Sequence, residues 1–140
     1  MTLDDLIRTL AEASPMAVVI TDADLAAPGP RILYVNEAFT RMTGYAAEEM
    51  LGASPRMLQG PATRPLTVRA MSRALRREGR FHGHVVNHRK NGEEYICEVE
   101  AFAVRDEAGR ILFFAALEQE VRRRRGRPSA GGQGRYEPVG

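Results

Sequence analysis

The segment GASPRMLQG, residues 52–60, brings together side chains that could hold an anionic ligand with hydrogen-bonding groups. Arg56 offers a guanidinium, which pairs well with phosphate or carboxylate oxygens. Gln59 offers an amide that both donates and accepts hydrogen bonds. Neither of these side chains, nor Pro55 beside them, is a nucleophile. The segment therefore favours ligand binding over covalent chemistry.

The rest of the sequence gives little support for catalysis. It has no Ser/His/Asp arrangement, no phosphate-binding Gly loop after a strand and no pair of carboxylates on one inferred face. His82 and His84 lie two residues apart on one strand face, but no carboxylate or Cys stands beside them in the sequence to complete a metal site. We therefore expect surface histidines, no bound metal and a protein that is not an enzyme.

Composition indicates one globular domain. The chain has 140 residues, of which 44% are hydrophobic and 27% are charged. It contains no run of roughly 18 or more apolar residues, so no membrane span is expected. The single cysteine excludes an internal disulfide and fits a reducing cytoplasm.

Positive charge is concentrated in residues 122–140, which hold six Arg and one Glu. Since the whole chain carries a net charge of +2, residues 1–121 are mildly acidic. This distribution argues against a nucleic-acid-binding fold for the body of the protein. The tail is rich in Arg, Gly and Pro and is predicted to be mostly disordered, and we do not expect it to bind nucleic acid specifically.

Hydrophobic periodicity predicts an α+β domain. Thr2 caps a short amphipathic helix that has Leu3, Leu6, Ile7 and Leu10 on one face. Predicted strands cover 16–21 and 32–35, and helical segments follow as far as Gly79. Three antiparallel strands then cover 81–89, 93–104 and 110–121, with the turn dipeptide Asn-Gly at 91–92. The predicted divisions are a cap helix (1–13), a domain with one five-stranded antiparallel sheet (14–121) and the tail (122–140).

Strand alternation predicts which side chains face the core. Asn87 and Cys97 fall on the inward phase of their strands, so the polar Asn87 needs a partner inside. The last strand is apolar on both phases, and its outer phase must be covered by the N-terminal helix, a second copy of the chain, or both. That outer phase consists of Ile111, Phe113, Ala115 and Leu117.

Several segments, in this order, resemble a PAS domain, and more narrowly its LOV branch of blue-light sensors that bind FMN. They are ITD, LYVNEAFTRMTGY, EEMLG, RMLQGP, NHRKNGEEY and FFAAL, within residues 14–121. The resemblance implies a PAS fold, with the sheet and short helices enclosing a pocket, and a homodimer formed through the outer sheet face and the N-terminal helix.

The LOV pattern has Asn-Cys-Arg-Phe-Leu-Gln where this chain has residues 54–59. In that family the Cys forms a light-driven bond to the flavin, but its position here is Pro55, which has no sulfur. Ser54 stands at the position of the family's Asn. The resemblance implies that Arg56 pairs with the FMN phosphate and that Gln59 bonds the ring and ribityl region.

The resemblance also assigns flavin contacts on the later strands. Asn87 matches the first of two amides that bind the pyrimidine edge, whereas the second falls on Cys97, a weak hydrogen-bond former. A second phosphate-binding Arg falls on Ser72, for which Arg69 or Arg73 could substitute.

Glu118 occupies the position of the Gln that contacts flavin N5 and O4 in LOV domains. Oxidised flavin presents only acceptors there, so an ionised Glu cannot replace Gln, whereas a protonated one can. An ionised Glu118 would instead favour a reduced flavin with a proton on N5, which suggests redox sensing. Glu118 lies either buried in the pocket, where burial would raise its pKa, or at a solvated rim.

Three functions follow as alternatives. The first is a stand-alone sensory module that binds FMN without a cysteinyl bond and signals to a partner. The second is a flavin-free PAS module that acts by dimerisation or by binding another small ligand. The third is binding of nucleic acid through the basic tail, which is disfavoured because no aromatic residues interleave the Arg run.

Overall fold

The computed structural model describes residues 1–126 and 134–140 of an α+β protein. The helices are α1 (Leu3–Ala13), α2 (Glu37–Thr43), α3 (Ala47–Met50) and α4 (Pro65–Arg77), with a 3-10 helix at Pro55–Leu58. The strands are β1 (Ala17–Asp22), β2 (Ile32–Val35), β3 (Arg80–His88), β4 (Glu94–Arg105), β5 (Ile111–Arg123) and β6 (Tyr136–Pro138). No helix in these two ranges has the length and apolar character needed to cross a membrane.

The sheet is antiparallel, with strand order β2-β1-β5-β4-β3, and β6 pairs with β5. β1 pairs with β5 only as far as Glu118, and β6 uses the edge of β5 beyond that point, from Val121 to Arg123. The prediction of five strands with a disordered tail after 121 is therefore wrong at 122–123 and 136–138. The part of that prediction concerning 127–133 lies outside the described residues.

The β3–β4 hairpin confirms the turn predicted at Asn91-Gly92. Val85 lies opposite Cys97, and Asn87 lies opposite Tyr95. Gly92 has a φ of 88°, a left-handed conformation that glycine adopts without a Cβ penalty. This register confirms the inward phase predicted for Asn87 and Cys97, which are both buried.

The core lies between the inner face of the sheet and the helices. Its most deeply buried side chains include Ile32 from β2, Phe39 from α2, Met50 from α3 and Leu58 from the 3-10 helix. Every segment between β2 and β3 thus contributes to covering one face of the sheet.

The outward-facing residues of β5 were predicted correctly except for Ile111, at the start of the strand. Phe113 is 39% exposed, and Ala115 and Leu117 are half-buried, whereas Phe114 faces the core. Ile111, predicted to face outward, packs against the core instead. The β4–β5 register shifts between Val104 and Arg105, opposite Ile111, and this irregularity interrupts the alternation on which the prediction relied.

Helix α1 begins as predicted, with a capping box between Thr2 and Asp5. Its apolar side chains are exposed: Leu3, Leu6, Ile7 and Leu10. The helix contacts the β2 edge through Glu12, which accepts a hydrogen bond from the Tyr34 hydroxyl at 3.0 Å. Within the single chain, α1 therefore leaves its apolar side free to meet another surface.

Asn36 joins α1, β1 and α2 through one buried side chain. Its Oδ1 accepts from the backbone N–H groups of Val18 (2.9 Å) and Phe39 (3.0 Å). Its Nδ2 donates to the backbone carbonyls of Ala11 (2.8 Å) and Met16 (3.0 Å). The amide thus satisfies the start of α2 and also ties β1 to the end of α1.

We expect Asn36→Ala to lower the free energy of unfolding by about 2–4 kcal/mol, because buried backbone groups lose their partners. The matched control is Asn91→Ala, which removes a hydrogen bond to the Glu93 N–H in an exposed turn. It should cost about 1 kcal/mol or less. Denaturant unfolding of both variants measures the difference, and equal losses would contradict the role assigned to Asn36.

Candidate ligand-binding site

A cavity of about 140 Å³ lies between the inner face of the sheet, the 3-10 helix and α4. Most of its wall is apolar, from side chains of β1, β3, β4, β5 and α4. The polar residues in the wall are few: Thr21, Arg56, Gln59, Ser72, Asn87 and Glu118. An apolar pocket with a small number of convergent polar groups is typical of a small-molecule site.

The 3-10 helix forms one wall of the cavity. The Ser54 hydroxyl accepts a hydrogen bond from the Arg56 N–H at 3.2 Å and so caps this helix. Pro55 stands at its first position, where a missing N–H costs no helical hydrogen bond. Pro55 itself lines the cavity, so proline is accommodated without disrupting the turn.

Arg56 and Gln59 both reach the cavity, as predicted from sequence. The Arg56 guanidinium is half-buried and donates to two backbone carbonyls of the loop before β2. Its Nε lies 2.7 Å from the oxygen of Gly29, and Nη2 lies 2.9 Å from that of Leu25. Gln59 is exposed while lining the cavity, so the cavity reaches the surface near this residue.

Asn87 is buried in the cavity wall beside Tyr95, its register partner. Burial raises the pKa of the Tyr95 hydroxyl well above its ordinary value, and this hydroxyl has no hydrogen-bond partner among the described residues. The Arg89 guanidinium packs over the Tyr95 ring, with its central carbon 4.4 Å from the ring centre. Arg89 is fixed in turn by Glu120 at 2.7 Å. Arg89 of the NHRKNG motif therefore has a structural role, packing on the ring that lies beside Asn87.

Glu118 is only 8% exposed and lines the cavity, so the alternative of a solvated rim position is wrong. Burial raises the pKa of its carboxyl from 4.5 to about 7. The Cys97 thiol lies 3.2 Å from Glu118 Oε1 and, by donating to it, partly opposes that shift. Near neutral pH the carboxyl is therefore divided between its protonated and ionised forms.

Three predicted contacts lie outside the cavity wall. Cys97 is fully buried behind Glu118, and burial and the nearby Glu118 carboxyl raise its thiol pKa, so it is not an activated thiolate. Ser54 is occupied as a cap. Arg69 and Arg73 are both exposed on α4 and do not line the cavity, whereas Ser72 does.

The motifs in the sequence did not reveal that β1 and the loop before β2 contribute to the cavity wall. Thr21 is buried and lines the cavity, and Leu25 and Pro30 close it from the loop. Alternation along β1 could have identified Thr21, which shares the phase of Val19. The loop residues carry no comparable signal.

The histidines of the outer face lie near a carboxylate that their sequence spacing did not reveal. Glu98 Oε2 is 3.3 Å from His82 Nε2 and 3.6 Å from His84 Nε2. Across residues 1–126 and 134–140, no three His, Cys, Asp or Glu side chains are grouped to hold a metal ion.

Residues 15–122 match the family described as PAS domain. The chain belongs to the PAS domain family. Its relatives include a blue-light-activated histidine kinase of Rhizobium johnstonii, 36% identical over 74% of this chain and 29% of that protein. Another, from Brucella anthropi, is 34% identical over 79% of this chain and 22% of that protein. The chain thus spans about a quarter of the length of these curated relatives.

Solved LOV structures share the fold. A LOV domain studied with a flavin analogue superposes with a TM-score of 0.74 at 30% identity, covering 84% of this chain and 85% of that one. The LOV domain of a blue-light-activated histidine kinase from Erythrobacter litoralis gives 0.69 at 26% identity, covering 76% and 96%. The predicted α+β PAS fold with LOV relatives is therefore confirmed.

The cavity of this PAS domain fits a flavin in chemistry more closely than in size. Arg56 suits a phosphate, and Asn87 and protonated Glu118 can both donate to ring acceptors. The volume of about 140 Å³ is below the ~300–1,000 Å³ common for ligand pockets. A flavin would therefore have to widen the cavity, and Arg56 would have to exchange the carbonyls of Leu25 and Gly29 for its phosphate.

We expect the unliganded protein to lose stability as pH rises from about 4.5 to about 7, and then to level off. The folded-state pKa of Glu118, about 7, exceeds the ordinary value of 4.5. The folded protein therefore retains a proton that the unfolded chain has released, and stability is greatest below the unfolded pKa. The loss should be about 2–4 kcal/mol.

Denaturant unfolding of Glu118→Gln across this pH range should show a flatter profile than the unsubstituted protein. Glu100→Gln, which neutralises an exposed carboxylate on the same sheet, is the matched control and should keep the slope. A slope that persists in Glu118→Gln would place the titrating group elsewhere.

Proposed function

We propose that this PAS domain is a LOV-like sensory module that binds FMN non-covalently in the cavity. The observation that carries the proposal is the convergence of Asn87 and Glu118, from two different strands, on a cavity that has Arg56 in its wall. The similarity to blue-light-activated histidine kinases and LOV structures supports it.

Each cavity residue has a distinct part in the proposal. Arg56 pairs with the phosphate and Gln59 bonds the ribityl and ring region near the cavity mouth. Asn87 binds the pyrimidine edge. Below about pH 7 the Glu118 carboxyl is protonated and donates a hydrogen bond to the ring. The flavin would supply the blue-light absorption and redox chemistry that these side chains lack.

A covalent cysteinyl bond is not part of this proposal. Pro55 stands in the cavity wall at the position that the LOV pattern gives to cysteine. The chain's one cysteine, Cys97, is buried behind Glu118 and hydrogen-bonded to it. The module would respond through the charge and hydrogen bonding of Glu118, and it would pass its signal to a partner or output domain.

A flavin-free PAS module for a smaller ligand is the second candidate. The cavity volume of about 140 Å³ favours it, since a single-ring ligand needs less widening than a tricyclic one. The two candidates differ in whether the folded protein takes up FMN.

We expect the unsubstituted protein to take up FMN when it is titrated, quenching the fluorescence of the free flavin. Arg56→Ala and Asn87→Ala should each weaken binding by about tenfold or more, the loss of a charged or buried hydrogen bond. Arg69→Ala is the control, since Arg69 is exposed and outside the cavity wall.

Arg69→Ala should leave the FMN affinity unchanged within about twofold, because exposed charges are screened. Equal losses in the Arg56 and Arg69 variants would contradict the placement of the phosphate. A folded protein that takes up no FMN would favour the flavin-free module.

We also propose that the protein is a homodimer that pairs through its outer sheet face. Apolar side chains of three strands share this face: Ile20, Phe102, Val104, Phe113 and Leu117. Val104 and Phe113 are 38% and 39% exposed, and α1 presents its own exposed apolar side at the adjoining β2 edge. An exposed apolar area of this kind commonly marks an association surface.

Phe113→Arg should convert the dimer to a monomer, because it places a charge in the proposed interface. The control is Leu66→Arg, an equally drastic change on exposed α4, which should stay dimeric. Light scattering coupled to size-exclusion chromatography measures both masses. A monomeric unsubstituted protein, or dissociation in both variants, would contradict the proposed interface.

A further inference from the structure

A second cleft, of about 870 Å³, lies where β6 returns beside the end of β5. Four arginines line it, together with one histidine: Arg64, Arg123, Arg124, Arg135 and His84. Within residues 1–126 and 134–140 its lining includes no Asp or Glu. Its arginine-rich wall distinguishes this basic cleft from the cavity described above, whose wall is mainly apolar.

The arginines come from three separate segments that the fold holds together. Arg64 precedes α4, Arg123 ends β5, and Arg135 precedes β6. The backbone N–H of Arg124 donates to the carbonyl of Arg135 at 2.7 Å, and Arg123 pairs with Tyr136. Strand pairing therefore brings Arg123 and Arg135 to one cleft, where a bound anion would relieve their mutual repulsion.

Two nearby carboxylates do not line the cleft. Glu137 holds Arg122 at 2.8 Å, and neither side chain lines the cleft. Glu98 lies 3.6 Å from His84 Nε2 but is likewise outside the lining. Among residues 1–126 and 134–140, no acidic side chain in the cleft wall offsets the charges of Arg64, Arg123 and Arg135.

The first turn of α4 faces the same cleft. Arg64 is the N-cap of this 13-residue helix and makes no side-chain cap hydrogen bond, and Thr67 in the first turn also lines the cleft. The N-terminal end of a helix carries partial positive charge and favours anions. This contribution adds to that of the arginine side chains.

The remaining wall is apolar and aromatic. Ala62, Val86 and Ile96 contribute apolar surface, and the Tyr136 ring stacks on His84 with a centroid separation of 4.0 Å. A cleft of about 870 Å³ is large enough for a nucleotide, since ligand pockets commonly measure ~300–1,000 Å³.

We propose that this cleft binds a ligand that carries a diphosphate group, held by Arg64, Arg123 and Arg135. Each guanidinium group can donate two parallel hydrogen bonds to phosphate oxygens. The positive charges of three such groups balance the negative charge of a diphosphate. The apolar wall admits a nucleoside attached to those phosphates. This inference is independent of flavin binding, because the cleft and the cavity use different cationic residues.

Calorimetric titration of the full chain with inorganic pyrophosphate and with ADP, at constant ionic strength, tests the proposal. The double variant Arg123→Gln/Arg135→Gln removes two cleft charges while keeping the backbone pairing. Arg64→Gln tests the opposite wall without touching the tail. The control is Arg76→Gln/Arg77→Gln, with the same charge change at the exposed far end of α4, about 18 Å along the helix.

We expect saturable binding that weakens about tenfold or more in the cleft double variant, weakens in Arg64→Gln, and is unchanged in the control. Tighter binding of ADP than of pyrophosphate would show that a nucleoside occupies the apolar wall. Equal affinities would show that the phosphates alone are bound. The absence of saturable binding, or equal weakening in the control, would overturn the proposal.

Discussion

The antiparallel pairing of β5 in the middle of the sheet is the constraint on which the rest of the structure depends. β5 pairs with β1 and β6 along one edge and with β4 along the other. This pairing fixes the pleat of the strand and therefore the direction of each of its side chains. Glu118 is turned into the cavity, Phe113 onto the outer face, and Arg123 toward the basic cleft. Three surfaces of different chemistry thus share one strand.

The pairing of β5 also buries the Glu118 carboxyl in the cavity wall. A carboxyl in an apolar wall is stabilised in its protonated form, and among the described residues Glu118 accepts a hydrogen bond from the weakly donating Cys97 thiol. Burial raises the pKa of Glu118 to about 7, so the charge of the cavity changes with pH. The diagonal placement of Cys97 beside Glu118 follows from the β4–β5 register, in which Cys97 lies opposite Glu120 and Val99 opposite Glu118.

Strand alternation allowed the sequence to predict the direction of Asn87 and the phase of most of β5, because both lie in regular pairing. It failed at Ile111, where the register shifts, and this shift leaves no mark in the hydrophobic pattern. The tail composition predicted disorder, yet Tyr136 to Pro138 pair with β5, since the edge that β1 leaves free offers backbone partners. The basic cleft and the Cys97–Glu118 contact both depend on register between distant strands, which composition and local pattern do not encode. Likewise, motif matching placed Arg56 at the cavity but did not reveal its bonds to Leu25 and Gly29.

The most direct test of the account is to follow side-chain amide signals by NMR while FMN is added to the isotopically labelled protein. If FMN binds in the cavity, the signals of Asn87 and Gln59 will shift, because both residues line it. The signal of Gln119, whose amide donates to Glu98 at 2.7 Å, should remain in place and serves as the internal reference. Shifts at Gln119 with none at Asn87 would place the ligand elsewhere and contradict the assignment of the cavity as the binding site.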